Sequence, residues 1–134
     1  MSRPCIAVIN DEQAIVEMLT DFLQDAGYET IDCLAGDGSY ELIRREHPAL
    51  VIIDLQMEHS EAGLHVLQKL RADPATATIP VIICSADGRL LREKAAAIKA
   101  LNGELLEKPF DLEPLLAKIR TLLKLDQQQR FQEA

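Results

Sequence analysis

Four apolar runs in this chain are followed by residues that can do metal or phosphate chemistry. Asn10, Asp11 and Glu12 follow the run 5–9, and Asp54 follows 50–53. Ser85 and Ala86 follow 80–84, and Lys108 and Pro109 follow 104–107. If these runs are parallel strands of an open α/β sheet, their carboxyl ends share the edge where such sheets bind ligands. Two carboxylates, a hydroxyl and an ammonium would then meet. Asp11 and Asp54 repel as neighbouring anions, and a hard divalent cation relieves that repulsion. Mg²⁺ takes oxygen ligands and keeps waters that phosphate oxygens can replace. A carboxylate can attack phosphorus, while the metal, the ammonium and the hydroxyl stabilise charge on the transferring group. Taken singly, each residue has a plainer role. Asp11 would be a turn former, Ser85 a helix cap and Lys108 a solvated charge. The joint placement at four strand ends carries the reading.

The elements needed to position these residues are visible in the apolar pattern. Runs 5–9, 50–53 and 80–84 are rich in Ile and Val without polar alternation, as suits strands buried on both faces. Segment 28–34 alternates, as an edge strand would, and 104–107 is a short fifth strand. Ile15, Met18, Leu19, Phe22, Leu23 and Ala26 follow a helical period, closed by Gly27. Leu112, Leu115, Leu116, Ile119, Leu122 and Leu123 repeat it, with Asp111 as N-cap. Shorter helices are predicted near 37–47, 63–72 and 88–100. The order βαβαβαβαβα predicts a doubly wound α/β sandwich with helices on both faces of a parallel sheet.

At 134 residues the chain fits one domain that buries a core without disulfides or structural metal. A net charge of −8 argues against direct nucleic-acid binding and against an anionic membrane surface. No apolar run reaches the roughly 20 residues of a membrane span, and the N-terminus reads as a strand, so a cytoplasmic location is expected. Cys5, Cys33 and Cys84 show no metal or disulfide spacing and read as small hydrophobes. Histidines 47, 59 and 65 share no helix face and read as surface groups.

The segments NDEQAIVEMLTDFLQDAGYET, LVIIDLQM, IPVIICSA and LEKPF, in this order and spacing, resemble the receiver domain of two-component response regulators. The resemblance covers about residues 4–124. It implies a flavodoxin-like, CheY-like fold: five parallel strands in the order 2-1-3-4-5 with five helices. It implies a receiver domain over 1–125, leaving 126–134 as a polar tail or the start of a linker. Asp54 would accept a phosphoryl group from a sensor histidine kinase or a phosphotransfer protein. Asp11, Asp54 and the backbone carbonyl of Gln56 would bind Mg²⁺, with Asn10 in the outer sphere. Ser85 would hydrogen-bond the phosphoryl group, Lys108 would pair with it, and small Ala86 would leave the acceptor open. The Lys108–Pro109 bond would be cis. The kinase would meet the exposed side of residues 13–24 and the loop around Glu58. A downstream target protein or output domain would read the switch, and the helix near 88–100 with the last helix could form a homodimer face. The chain would be no enzyme beyond self-phosphotransfer and autodephosphorylation.

Three departures stand out. Asn10 occupies a position that is usually Asp. Glu58 stands where Pro is usual, in a loop expected to be longer, more acidic and more mobile. Leu105 replaces the usual switch aromatic. Asn10 and Leu105 motivate a rival reading, a pseudo-receiver that binds partners without phosphate. The same residues are also compatible with the regulatory part of a longer enzyme, and with a small phosphatase that uses Asp54 as transient nucleophile.

Overall fold

In this computed structural model residues 3–108 and 111–133 are described, with side chains through Lys124. The predicted alternation is present throughout. The chain runs β1 (Cys5–Ile9), α1 (Gln13–Asp25), β2 (Glu29–Cys33), α2 (Ser39–Glu46) and β3 (Leu50–Asp54). It continues with α3 (Ala62–Ala72), β4 (Val81–Ser85), α4 (Gly88–Ala100), β5 (Gly103–Glu107) and α5 (Leu112–Glu133). All strand pairs are parallel and the order is β2-β1-β3-β4-β5. The order reverses beside β1, so β1 and β3 diverge to opposite sides at their carboxyl ends and open a crevice there.

Strand periodicity sorts the core into two layers. Ile6, Val8, Leu50, Ile52, Ile82 and Cys84 pack against Val16, Leu19 and Leu23 of α1 and Leu115 and Ile119 of α5. Ala7, Ile9, Val51, Ile53, Val81 and Ile83 pack against Ile43 of α2, Leu67 and Leu70 of α3, and Leu91 and Ile98 of α4. Every residue of β3 and β4 is buried, and this is why their sequences lack polar alternation. β2, at the sheet edge, is only partly buried, as its alternation predicts.

Helix ends follow the expected local chemistry. Gly27 adopts φ +102°, and the Tyr28 N–H reaches back to the Leu23 carbonyl (3.0 Å), closing α1 as the sequence suggests. Asp87 caps α4 by accepting the Leu90 N–H (3.0 Å). Cys84 is a core residue, its thiol pushed up to about 12 by burial, and burial also raises the Cys5 thiol. The Lys108–Pro109 bond, expected to be cis, lies outside the described residues. Among the described residues no helix is long and apolar enough to cross a membrane.

Candidate phosphoacceptor site

The carboxyl ends of β1, β3 and β4 carry the chemistry the sequence pointed to, and the residue after β5 completes it. Asp54 is the last residue of β3, in register with Cys84 of β4. It continues the row of Leu50 and Ile52, so its side chain starts on the α1/α5 side of the sheet. Only 8 % of the residue is exposed. Lys108 follows β5, where its N–H donates to the Ser85 carbonyl (2.8 Å). That backbone bond aims its side chain back over the sheet edge, and its Nζ lies 3.2 Å from Asp54 Oδ2.

The carboxyl of Asp54 is held above its ordinary range. Burial is the main cause, and the Asp11 charge adds to it. The Lys108 charge and its hydrogen bond pull the other way. Asp54 is therefore a carboxyl stripped of most of its water and matched, among the described residues, by the Lys108 ammonium. Asp11, by contrast, is exposed. It is nevertheless close enough for its charge to act on Asp54.

Asn10 is buried, and its Oδ1 accepts the Glu12 N–H (2.9 Å), an Asx turn that sets the path from β1 into α1. This bond places Asp11 at the apex of the turn. Ser85 is fully buried, on the row of Val81 and Ile83 that faces α4. Its Oγ accepts the Asp87 N–H (3.0 Å) and sits 3.4 Å from the Asp87 carbonyl. The hydroxyl is thus engaged by the turn that opens α4. Ala86 beside it is exposed. Gln56 is exposed, two residues past Asp54, and its carbonyl accepts no backbone bond among the described residues.

The donor set suits Mg²⁺. Two neighbouring carboxylates and a free backbone carbonyl are hard oxygen ligands, and burial with mutual repulsion gives the pair reason to accept positive charge. Among the described residues no group of three or more His, Cys, Asp or Glu converges, so a closed all-protein cage is not formed. A metal that retains several waters fits such a sparse set.

Four further contacts were not legible from residue types. The Glu58 carboxylate accepts the N–H groups of Gly36 (2.9 Å) and Asp37 (2.6 Å), and the Asp37 bond above all lowers its pKa below the ordinary carboxylate range. Glu61 pairs with Lys94 of α4 at 2.9 Å. The loop after Asp54, expected to be mobile, is tied on both flanks, because its added acidic residues find backbone and side-chain donors. Gly63 is the third. A Cβ there would collide with the Asp54 carbonyl and stand 2.9 Å from Leu55 Cα, so α3 begins directly against the end of β3. The helix-starting glycine was the only sequence signal for that close approach. His59 and His65 are both exposed, and their ring centroids lie 4.8 Å apart, a contact their spacing did not suggest.

Residues 6–120 match the family of response regulator receiver domains. The chain belongs to that family. Over 121 residues it is 34% identical to the DNA-binding dual master transcriptional regulator RpaA of Synechocystis sp., covering 90% of this chain and 49% of that protein. It spans about half the length of the curated relatives it matches. A CheY-like receiver domain protein of Methanospirillum hungatei superposes with a TM-score of 0.86 at 20% identity, covering 96% of this chain and 99% of that one. NtrX of Brucella abortus gives 0.85 at 24% identity, covering 98% of this chain and 29% of its own. These two likenesses bear on the fold alone. A receiver domain of two-component signalling is therefore the frame in which Asp54, Lys108 and their neighbours are read.

Proposed function

We propose that this receiver domain is a phosphorylation switch with Asp54 as acceptor. The observation that carries the reading is the Lys108–Asp54 contact at 3.2 Å beside Asp11, on a largely buried carboxylate at the open edge of the sheet. The phosphoryl donor is a phosphohistidine on a sensor histidine kinase or phosphotransfer protein. An Asp54 oxygen forms a bond to phosphorus while the phosphorus–nitrogen bond of the donor breaks, its electron pair staying on the imidazole. Asp54 must be ionised to attack, and the Lys108 ammonium favours that form. The same ammonium then lies within reach of a phosphoryl oxygen. Asp11, Asp54 and the Gln56 carbonyl would hold Mg²⁺, with Asn10 contributing through water. Bound there, the metal would supply positive charge against the phosphoryl oxygens.

The phosphoryl group adds charge and strong acceptors at one point. Ser85 answers it by leaving the Asp87 turn and donating its hydroxyl to the new oxygen, which frees the start of α4. With Leu105 aliphatic and half-buried against the α3/α4 layer, this turn is the readout, rather than a moving ring. The reader is a target protein or an output domain, the latter in keeping with the half-length match to its relatives. The residues after 125 would then serve as tail or linker.

Incubation with Mg²⁺ and acetyl phosphate, followed by intact mass, tests the reading. One added phosphoryl group is the expected product. Folded protein that takes up none would instead favour a pseudo-receiver that binds its partner unmodified.

A further inference from the structure

The segment between β3 and α3, residues 55–61, carries Gln56 near its start. Apart from the Leu55 N–H, which donates to the Cys84 carbonyl of β4 (2.8 Å), and the Glu61–Lys94 pair (2.9 Å), its own hydrogen bonds are local. Met57 N–H and Ala62 N–H both donate to the His59 carbonyl, at 3.2 and 3.3 Å, and Gly63 N–H closes onto the Leu55 carbonyl at 2.9 Å. Among the described residues, only Glu58 hydrogen-bonds this segment to the loop between β2 and α2. One carboxylate oxygen takes the Gly36 N–H and the other the Asp37 N–H, at 2.9 and 2.6 Å. The opposite side is shaped to match. Gly36 is buried, and a Cβ there would stand 3.0 Å from Glu58 Oε1 and 3.1 Å from the Met57 Cε. A two-point, charge-assisted contact fixes both the position and the rotation of the group that makes it. Glu58 is two residues from Gln56, so what fixes one limits the other.

The metal half of this site has a special need for such fixing. With Asn at position 10, only Asp11 and Asp54 bring negative charge. Affinity for a divalent cation then depends more on the neutral oxygen ligand being in place beforehand. Glu58 itself is not a ligand in this arrangement, because both of its oxygens are committed to backbone N–H groups.

We propose that Glu58 is a positioning residue for Mg²⁺ binding, holding the backbone at Gln56 in one place through its bidentate contact with Gly36 and Asp37. The proposal rests on the receiver reading above. The test is a Mg²⁺ titration of the unphosphorylated full chain, followed by amide NMR signals at residues 10–11 and 54–58. The same proteins are assayed for acetyl phosphate labelling rate against Mg²⁺ concentration. Wild type is compared with Glu58→Ala and Glu58→Gln. Glu58→Ala is expected to raise the half-saturating Mg²⁺ concentration about tenfold, on the scale of lost outer-shell support at metal sites. The limiting labelling rate at saturating Mg²⁺ stays at the wild-type value, which general loosening of the fold would not spare. Glu58→Gln keeps one acceptor oxygen and falls between, and it carries the test alone if Glu58→Ala does not fold. Wild-type Mg²⁺ binding that is unchanged in both variants overturns the proposal and leaves the receiver reading intact. A wild-type protein that neither binds Mg²⁺ nor takes up a phosphoryl group overturns both.

Discussion

Each end of the sheet holds a long cationic side chain in partly desolvated surroundings, and the two are used differently. At the carboxyl end Lys108 meets Asp54, a carboxyl whose affinity for the proton burial raises above the ordinary. At the amino end Arg71 meets no carboxylate among the described residues. Its guanidinium donates to the carbonyls of Leu101 (2.7 Å), Ala77 (3.1 Å) and Ile79 (2.7 Å), and burial lowers its affinity for the proton. Those carbonyls belong to the turn before β5 and the loop before β4. Arg71 thus knits α3, β4 and the end of α4 into one block, and its planar fork suits several acceptors at once. The Arg71 contacts are neutral, part-buried backbone carbonyls. The Lys108 contact is between charges that a phosphoryl group or a metal can rearrange. The difference between a brace and a site lies in whether the partner can be exchanged.

This contrast can be broken at either end. Arg71→Ala should give the largest loss of stability, about 3 kcal/mol in urea unfolding, because three backbone carbonyls lose a charged donor. Arg71→Lys should recover less than half of that, since one ammonium cannot replace the fork. Labelling of the protein that remains folded should be unaffected. A strong labelling defect there would mean the two ends are not separate.

Gly63→Ala should cost about 2 kcal/mol, because its methyl group meets the backbone of Asp54 and Leu55 rather than a movable side chain. Unlike Arg71→Ala, it should also slow labelling, since α3 can retreat only by shifting the end of β3. Loss of stability with a wild-type labelling rate would show that Asp54 is positioned independently of α3.

Asp54→Asn should stabilise the metal-free protein near neutral pH. A carboxyl whose proton affinity is raised by folding contributes stability while protonated. That contribution is lost as pH rises through its folded pKa. The gain in melting temperature of Asp54→Asn should therefore shrink as pH falls toward the ordinary Asp value. A gain independent of pH would point to packing instead of charge. The smallest effect is expected for Asn10→Asp. The new carboxylate can keep the bond to the Glu12 N–H, so the fold is unchanged. The added charge should tighten Mg²⁺ a few-fold, about 1 kcal/mol, and a titration that shows no tightening counts against an outer-sphere role for position 10.

The fold was largely legible because its signals are local and repeated. Unbroken apolar runs mark β1, β3 and β4, and α1 and α5 carry full helical stripes. The positions of Asp11, Asp54, Ser85 and Lys108 followed from strand ends alone. What could not be read depends on partners that residue types do not reveal. Arg71 looks like any surface arginine in a sequence, since its acceptors are backbone carbonyls. Glu58 looked like a source of mobility, because the N–H groups that bind it lie 21 and 22 residues away. The orientation of Ser85 was also hidden: strand parity puts its hydroxyl on the α4 side, while Asp54 starts on the other.

The central claim is that Asp54, and no other carboxylate at this edge, takes the phosphoryl group. Borohydride reduction of acetyl phosphate-treated protein, followed by peptide mass spectrometry, addresses it directly, since an acyl phosphate on aspartate is reduced to homoserine. Homoserine at position 54 in wild type, and none anywhere in Asp54→Asn, is the predicted result. Homoserine at Asp11, or labelling that survives in Asp54→Asn, would contradict the account.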